Sequence, residues 1–377
     1  MPNHETRVLT INPGSTSTKF GVFRRDKAEW MGALVHSDEE LDKFRGMSAL
    51  AQLDYRAAPL AKALQVAGFD LAQFAAVAGR GGLLPPMECG TYLVDDVMVE
   101  ELRLARRGEH ACNLGAVLAL KFAHAAGAKA YIVDPVTVDE WQDCARLSGH
   151  PAIARLPIGH ALNTKAVARR FARETAQDYA DLRLVVVHMG SGTTVSAHRA
   201  GRMIDNNTPQ DGPFGPDRTG SLPVQDLIKL CCSGAYNAKQ MDRMVFGEGG
   251  LFAYLGTRDL REVERRIDAG DAQAAAVLDA MLYQIAKEAG GMAAALEGSV
   301  DAVLLTGGMA HSDRVVTRLR AYLQWIAPMR VYPGEDELRA LADGVFRVLD
   351  GAEPAKRMPA DRVPRGDARK GLEIGLE

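Results

Sequence analysis

The stretch Val8-Leu-Thr-Ile-Asn-Pro-Gly-Ser-Thr-Ser-Thr-Lys-Phe-Gly-Val-Phe23 decides how the rest of the chain is interpreted. Two short apolar runs flank a loop of Gly, Ser and Thr residues, which predicts a β-hairpin with a hydroxyl-rich turn. Small residues let backbone N–H groups approach an anion closely, and the hydroxyls and Lys19 add donors and charge. The turn is therefore a candidate phosphate-binding loop. It is not a Walker A loop, because the GxxxxGK[ST] pattern is missing and a strand, not a helix, is expected next.

A similar pattern returns near the middle of the chain. The apolar run Leu184-Val-Val-Val187 leads into the small, polar turn His188-Met-Gly-Ser-Gly-Thr-Thr194, and a second apolar run begins at Val195. Recurrence of one supersecondary unit is the mark of internal duplication. We therefore expect two related halves, each opening with a strand–turn–strand unit.

Composition narrows the possible classes of protein. A chain of 377 residues is long for one core, so two domains are expected. The net charge of −3 gives no electrostatic reason to expect binding to nucleic acid or to an anionic membrane surface. No apolar run reaches transmembrane length, and no signal peptide is visible. The five cysteines show no C-x-x-C spacing, so we expect free thiols in a reducing cytoplasm.

The pattern of elements predicts where the domains begin and end. We expect an N-terminal domain over residues 1–180 and a C-terminal domain over residues 181–334. A helix over residues 335–351 is expected to pack back on the N-terminal domain. Residues 352–377 have little apolar content, so we expect a disordered tail.

Several local predictions concern particular residues. Strands are expected to end at Gly79-Arg80-Gly81-Gly82 and at Asp134, and Asn113 is expected to cap a helix that follows it. A long, Ala-rich helix is expected near residues 271–297, interrupted by Gly290-Gly291. In open α/β sheets, ligands bind at the carboxyl ends of strands, so polar residues there are candidates for function.

Two arginines, one carboxylate and several Gly/Ser turns lie at such positions, and they suit the transfer of an anionic phosphoryl group. Plainer explanations stay open for each. Asp134 precedes a proline and can simply form a turn. Arg218 lies in a Pro/Gly loop and can simply be exposed. Each histidine, taken singly, is better explained as an ordinary, hydrogen-bonded histidine.

Nine motifs in order resemble the butyrate kinases of the acetate kinase family, within the actin-like ATPase superfamily. They are Ile11-Asn-Pro-Gly-Ser-Thr-Ser-Thr-Lys19, Gly79-Arg-Gly-Gly-Leu83, Glu109-His110 with Asn113-Leu-Gly115, Asp134-Pro-Val136 with Asp139-Glu140, Ala145-Arg-Leu-Ser-Gly149, His160-Ala-Leu-Asn163, Val187-His-Met-Gly190, Gly212-Pro-Phe-Gly-Pro216 and Pro333-Gly-Glu-Asp-Glu-Leu338. The resemblance implies an α/β fold of two ribonuclease H-like (actin-like ATPase) domains with a cleft between them.

The resemblance also implies a catalytic set, consisting of Asn12, Arg80, Asp134, His160 and Arg218. The two arginines would grip the carboxylate and the transferring phosphoryl group, and His160 would donate a hydrogen bond to the transition state. Asn12 and Asp134 would lie near Mg²⁺ and the phosphoryl group.

Supporting and nucleotide-binding residues follow from the same resemblance. Glu337 would approach the metal largely through water, although the register against the adjacent Asp336 stays open, and His110 would support the substrate. Ser191 stands where a purely glycine turn is expected in the family. The implied ATP contacts are Ser15, Thr16, His188, Gly190, Ser191, Gly192, Gly307, Gly308 and Met309.

The implied activity is reversible transfer of the γ-phosphoryl group of ATP to the carboxylate of a short-chain fatty acid, with Mg²⁺ as cofactor. Butyrate or a branched C4–C5 acid is the expected substrate, and a homodimer or larger homo-oligomer is the expected assembly. Three alternatives stay open: an acetate or propionate kinase, an ATP-binding switch or chaperone-like ATPase without a carboxylate substrate, and a sugar kinase.

Overall fold

The computed structural model describes residues 6–359 as a mixed α/β structure with two sheets. The strands are β1 (Arg7–Pro13), β2 (Ser17–Arg24), β3 (Lys27–Val35), β4 (Phe74–Arg80), β5 (Thr91–Leu93), β6 (Lys129–Val133), β7 (Leu184–Met189), β8 (Thr193–Arg199), β9 (Arg202–Asn206), β10 (Ala302–Gly307) and β11 (Met329–Pro333). The α-helices are α1 (Asp38–Asp42), α2 (Leu53–Val66), α3 (Asp96–Leu104), α4 (Leu114–Ala126), α5 (Asp143–Arg146), α6 (Ala161–Glu174), α7 (Val224–Cys231), α8 (Ala238–Val245), α9 (Gly250–Leu255), α10 (Leu260–Asp268), α11 (Ala272–Ala295), α12 (Asp313–Leu323) and α13 (Glu337–Leu349). None of these helices is long and apolar enough to cross a membrane.

The described residues divide into two compact units. The first lies within Met1–Asp139, His150–Ile153 and Asp336–Glu377, and the second within Glu140–Gly149 and Ala154–Glu335. This division does not fall at residue 180, where the sequence placed the boundary. The reason is α6, whose Val167 and Phe171 pack into one apolar cluster with Leu184 and Val186 of β7.

The first unit is built on a six-stranded sheet in the order β3-β2-β1-β4-β6-β5. Strands β1, β2 and β3 form an antiparallel meander, and β1, β4 and β6 run parallel. The opening hairpin is therefore present as predicted. Strand β5, which the sequence did not predict, is only three residues long and pairs antiparallel with β6.

Helix α13 closes one face of the first sheet, where it packs on β1, β4 and β6. Leu341 and Val345 are fully buried on its apolar face. At Gly344 the helix comes so close to the sheet that an added Cβ would lie 2.5 Å from Val133 Cγ1. This close fit fixes where the start of α13, at Glu337, meets the ends of the strands.

The second unit repeats this topology on a five-stranded sheet, in the order β9-β8-β7-β10-β11. Again a three-stranded antiparallel meander is followed by two parallel strands. The matching strand orders support the duplication inferred from the two hairpins. Helix α11 covers the sheet and runs unbroken through Gly290-Gly291, so the predicted interruption is wrong. Burial of its apolar face, including Met281 and Ile285, outweighs the cost of about 1 kcal/mol per helical glycine.

Residues 352–359 are not the disordered segment that their composition predicted. The Lys356 N–H donates to Thr91 O (2.9 Å), and the Leu93 N–H donates to Lys356 O (2.8 Å). Met358 is 7% exposed and packs into the core of the first unit. Backbone pairing at β5 supplies the ordering that composition does not reveal. The rest of the predicted tail lies outside the described residues.

Candidate active site

Three parallel strands end together in the first unit, and two predicted site residues lie at that edge. The register pairs Ile11 of β1 with Gly79 of β4, and Gly79 with Ile132 of β6. Asn12 and Arg80 are the next residues along β1 and β4, so they occupy one row at the carboxyl edge of the sheet. This is the place where open α/β sheets bind ligands.

Glu337 joins these two residues. Its buried carboxylate accepts hydrogen bonds from Asn12 Nδ2 and from Arg80 Nη1. The neighbouring Asp336 is instead the N-cap of α13 and accepts from the Arg339 N–H. Of the two adjacent acidic residues, Glu337 is thus the one that contacts the strand ends, and its place near a metal stays a prediction.

Arg80 keeps donors available for a ligand. Its Nε is buried and has no hydrogen-bond partner within residues 6–359. A buried donor without a partner costs free energy, commonly about 1–3 kcal/mol, and an anionic ligand would recover it. The guanidinium is thus held by Glu337 on one side and unsatisfied on another.

Asp134 lies one position beyond this row, immediately after β6. It is almost fully buried and adopts a left-handed backbone conformation with φ +38. Its Oδ1 accepts from the Gly90 N–H at 2.8 Å, and its own N–H donates to Gly90 O at 3.0 Å. Asp134 therefore fixes the loop before β5, a structural contact that the sequence did not predict. Its catalytic and metal-binding roles stay predictions.

His110 lies at the start of a short 3-10 helix, Ala111–Asn113, and its side chain is exposed. Its Nδ1 accepts from the Cys112 N–H at 3.2 Å and lies 2.9 Å from Cys112 Sγ. Burial raises the pKa of the Cys112 thiol to about 11, so the thiol stays protonated, and Arg80 and Glu337 both act electrostatically on it. His110 is thus placed near the Arg80–Glu337 pair.

Asn113 occupies the predicted N-cap position of α4, but its side chain makes no capping hydrogen bond. Its Oδ1 accepts from the Leu83 N–H at 2.9 Å, and its Nδ2 donates to Gly108 O at 3.1 Å. The start of α4 lies so close to β4 that a Cβ on Gly79 would overlap Gly115 O. In that close packing, the amide is used to hold the loop after Arg80.

The β1–β2 turn carries the predicted ATP contacts Ser15 and Thr16, and both are exposed. The turn is closed by the Gly14 N–H, which donates to Ser17 O at 2.7 Å. Beneath it lies Arg56 of α2, which is fully buried and which the sequence analysis did not single out. The sequence could have indicated its burial, because Arg56 occupies the helical face that also carries the buried Leu60 and Leu64.

In the second unit, His160 stands at the start of α6 and packs against His188 of β7. The two rings are stacked with centroids 4.0 Å apart. The His160 N–H donates to Thr194 Oγ1 (3.4 Å), which lies 2.8 Å from His160 Nδ1. The hydroxyl can then donate to Nδ1, which leaves Nε2–H as the donor that the predicted role requires.

His188 is fully buried, and a hydrogen bond fixes its ring on one side. Asn163 Nδ2 donates to its Nδ1 at 2.7 Å, an arrangement that places the ring N–H on Nε2. That Nε2 lies 3.3 Å from Glu335 Oε1, without the geometry of a hydrogen bond. His188 thus stacks against His160 from within the core, and its contact with ATP stays a prediction.

The turn at Gly190–Gly192 needs small residues for a measurable reason. A Cβ on Gly190 would lie 2.6 Å from Glu335 Oε1, and one on Gly192 would overlap Arg218 Nη1 and lie 3.2 Å from His160 Cε1. Gly192 thus brings Arg218 and His160 to one point. Ser191, between the two glycines, is exposed.

Arg218 is held only loosely by protein groups. Its guanidinium lies over the Phe246 ring at 5.2 Å, and its Nε is 4.0 Å from Asp217 Oδ1. Burial lowers the pKa of Arg218, although an arginine stays charged. A half-buried cation without a close carboxylate is well suited to an anionic ligand.

The turn after β10 carries the last predicted ATP contacts. Gly307 has φ +91, and its N–H and O both bond to Gly334. Gly308 is exposed, whereas the Met309 side chain is 6% exposed and belongs to the core of the second unit. Any contact of Met309 with a nucleotide would therefore come from its backbone.

The structure thus brings together Asn12, Arg80 and Glu337 in the first unit, with His110 nearby, and His160, His188, Gly192 and Arg218 in the second. Within the described part of the chain, no group of three or more His, Cys, Asp or Glu side chains is placed to hold a metal ion. None of the five cysteines, all of which lie within residues 6–359, forms a disulfide, as predicted.

Comparisons with known proteins agree with this arrangement. The family model described as "Acetokinase family" matches residues 158–328. A Clostridium botulinum protein named "Probable butyrate kinase" is 46% identical over 93% of this chain and 99% of its own length. Butyrate kinase 2 from Clostridium acetobutylicum is 45% identical over 93% of this chain and 99% of its own length. The crystal structure of Porphyromonas gingivalis acetate kinase, at 18% identity, matches with a TM-score of 0.75 and covers 91% of this chain and 100% of that one.

The two repeated sheets define an α/β protein, and its fold is the fold of the solved acetate kinase. The chain belongs to the acetokinase family, because identities of 45–46% extend over nearly the whole length of its relatives. The resemblance stated from the nine sequence motifs is thereby confirmed.

Proposed function

We propose that this protein transfers the γ-phosphoryl group of ATP reversibly to the carboxylate of butyrate or of a branched C4–C5 acid. The observation that carries the proposal is the 45% identity to the relative named "Butyrate kinase 2" over 93% of the chain. The acetate kinase structure is only 18% identical, so it supports the fold but does not indicate the chain length of the acid substrate.

The proposed reaction requires no general acid–base catalysis by the protein to activate the nucleophile. A carboxylate is already ionised at neutral pH, so its oxygen can attack phosphorus without a general base. Catalysis then consists of positioning and of neutralising the charge on the phosphoryl oxygens. The cationic side chains of Arg80 and Arg218 and the Nε2–H of His160 are donors of the kind this reaction requires.

Each arginine has a physical reason to bind an anion. Arg80 has a buried Nε without a partner in the described chain, and Glu337 fixes the rest of its guanidinium. Arg218 has its nearest carboxylate at 4.0 Å. We assign the substrate carboxylate and the transferring phosphoryl group to these two side chains. His110, near Arg80 through Cys112, supports the substrate.

Asn12 and Glu337 fit a magnesium site. Mg²⁺ prefers oxygen ligands and is commonly bound through one or two carboxylates together with substrate phosphates. Glu337 offers a buried carboxylate, and Asn12, whose Nδ2 is bonded to it, keeps its amide oxygen for a ligand or for metal-bound water. When bound, the ion would neutralise charge on the phosphates of ATP. Asp134, one position beyond the strand-end row, is the further oxygen donor that we assign to this site.

The nucleotide contacts are assigned to the three turns. Ser15 and Thr16 form the first, His188, Gly190, Ser191 and Gly192 the second, and Gly307, Gly308 and the Met309 backbone the third. Small residues and exposed backbone N–H groups are what phosphate binding requires. We retain the cytoplasm as the expected compartment and a homo-oligomer as the expected assembly, which light scattering would test.

The test is whether ATP turnover depends on a carboxylate. The purified protein is incubated with ATP, Mg²⁺ and butyrate, and acyl phosphate is trapped with hydroxylamine while ADP is measured. We expect ADP and hydroxamate in equal amounts, and almost no ADP without the acid. ATPase activity that is unchanged by carboxylates would favour the switch or chaperone-like alternative, and turnover with hexose or glycerol would favour a sugar kinase.

A further inference from the structure

Arg56 is a fully buried arginine that serves none of the roles assigned above. It projects from α2 beneath the β1–β2 turn. Its Nη1 donates to Gly14 O at 2.8 Å and to Ser17 O at 3.2 Å, and its Nη2 donates to Ser15 O at 3.2 Å. One side chain therefore binds three carbonyl groups of a single turn.

The remaining donors of Arg56 are also satisfied by neutral oxygens. Gln52 Oε1 accepts from Nε at 2.9 Å and from Nη2 at 2.8 Å, and Thr18 Oγ1 accepts from Nη1 at 3.0 Å. No carboxylate within residues 6–359 forms an ion pair with Arg56. Burial lowers the pKa of Arg56, yet the guanidinium stays charged. A positive charge without a counter-ion thus lies directly beneath the turn.

Three neutral side chains separate the Arg56 guanidinium from the Glu40 carboxylate, to which they link it by hydrogen bonds. Thr18 Oγ1 lies 2.9 Å from His36 Nε2, and His36 Nδ1 lies 3.2 Å from the Tyr55 hydroxyl, which donates to Glu40 Oε2 at 2.9 Å. Burial and Arg56 lower the pKa of His36, so the ring is neutral. This hydrogen-bonded chain then runs in one direction, from the guanidinium to Glu40 at the surface.

The carbonyl directions determine what the turn presents outward. In a trans peptide the C=O of one residue points opposite to the N–H of the next. Since the Gly14 and Ser15 carbonyls point at Arg56, the Ser15 and Thr16 N–H groups point away from it. Neither N–H has a hydrogen-bond partner in the described part of the chain. Successive outward N–H groups form an anion-binding concavity.

We infer that Arg56 is a positioning residue for phosphate binding. It orients the β1–β2 turn so that the Ser15 and Thr16 N–H groups face a phosphate of the nucleotide, and it supplies the positive charge behind them. The inference rests on the proposed function, because it takes this turn to be a nucleotide-binding turn. It explains why the fold keeps an expensive, unpaired charge at this place.

The test separates charge, geometry and folding. Arg56→Met removes the charge and every donor at similar volume, and Arg56→Lys keeps the charge but cannot bond to all the oxygens. We expect Arg56→Met to raise the KM for ATP about tenfold or more, the size of effect expected for a lost charge-assisted interaction. The KM for butyrate should change little, and Arg56→Lys should recover part of the loss. A merely structural role would lower the melting temperature without changing KM in the folded protein.

Milder and matched variants keep the test decisive if Arg56→Met fails to fold. Gln52→Met removes the acceptor that orients Arg56 and should raise the KM for ATP several-fold. Arg45→Met removes an exposed arginine and should change neither KM. An unchanged ATP affinity, by calorimetry, in Gln52→Met and in every folded Arg56 variant would overturn the inference.

A separate variant distinguishes failure of this inference from failure of the proposed turn. Ser15→Glu places a negative charge where the phosphate is expected, so ATP binding should weaken if the turn binds nucleotide. If Ser15→Glu weakens binding and Arg56→Met does not, only the role of Arg56 is wrong. If Ser15→Glu has no effect, the assignment of the turn is wrong, and the role of Arg56 falls with it.

Discussion

Replacement of Gly192 by alanine should separate activity from stability. An added Cβ would overlap Arg218 Nη1 and lie 3.0 Å from its Cζ and 3.2 Å from His160 Cε1. Because the overlapping atom is the tip of a flexible side chain, the fold can accept the methyl group if the guanidinium moves away. The backbone of Gly192 does not have a positive φ, so alanine brings no conformational strain.

The expected size of the effect follows from the required movement. Normal contact distances of about 3.5 Å or more require the guanidinium tip to shift by about 1 Å, and a misplacement of that size can reduce turnover about 10²-fold. We therefore expect Gly192→Ala to lower kcat/KM for acyl phosphate formation about 10²-fold. The melting temperature should change by no more than a few degrees.

A glycine in open space provides the matched control. Gly291 of α11 has nothing within 4 Å of an added Cβ, so Gly291→Ala should leave kcat/KM unchanged and raise stability by about 0.5–1 kcal/mol. Wild-type kcat/KM in Gly192→Ala would refute the assignment of Arg218 to the reaction. A large loss of stability together with the activity would show that the methyl group disturbs the fold and not only the arginine.

Three further predictions concern other parts of the chain. Arg80→Ala and Arg218→Ala should each lower kcat at least ~10²-fold, as expected when one preorganised donor is removed, and near-normal turnover in either would contradict its role. Lys165→Met should cost about 3–5 kcal/mol in urea unfolding, because it leaves the buried Glu140 carboxylate, 2.5 Å from Lys165 Nζ, without its cation; a loss below about 1 kcal/mol would argue against this. Burial, with Asp211 and Asp205 nearby, raises the pKa of Glu288 from 4.5 to about 7, so the folded state holds a proton that the unfolded chain has released. The stability that this proton contributes is fully present below the unfolded pKa of 4.5 and is lost as pH rises through about 7. The free energy of unfolding should therefore differ less between about pH 5 and about pH 8 in Glu288→Gln than in the wild type. An equal difference in both proteins would contradict it.

Local sequence predicted the parts of the fold that depend on neighbours in the chain. The two hairpins follow from apolar runs around Gly/Ser/Thr turns, and such turns form from their own residues. The placement of Arg80 at the end of a strand, where open α/β sheets bind ligands, was also predicted from the sequence.

The sequence-based predictions that failed concern contacts between residues that are distant in the sequence. The ordering of residues 352–359 comes from pairing of Lys356 with Thr91 and Leu93, which no local pattern shows. The contact of Glu337 with Asn12 joins residues 325 positions apart, so the sequence could not decide between Glu337 and Asp336. Continuation of α11 through its glycines is likewise a result of tertiary packing.

Two polar residues make contacts that the sequence did not predict, because their side chains bond to segments distant in the chain. Asn113 stands where a helix cap is expected, yet its amide bonds to the loop at Leu83. Arg56 interrupts the apolar face of α2, but the sequence does not show which groups its side chain contacts. In the structure, its guanidinium donates to carbonyl groups of the β1–β2 turn.

The central claim is that this protein phosphorylates a four-carbon carboxylate, and a panel of straight and branched C2 to C5 acids tests it most directly. Each acid is assayed with ATP and Mg²⁺, and kcat/KM is measured from hydroxamate formation. The account predicts the highest kcat/KM for butyrate or a branched C4–C5 acid, with acetate at least about tenfold lower, the discrimination expected from the apolar contacts of the extra methylene groups. A maximum at acetate or propionate, or no carboxylate-dependent product at all, would contradict it.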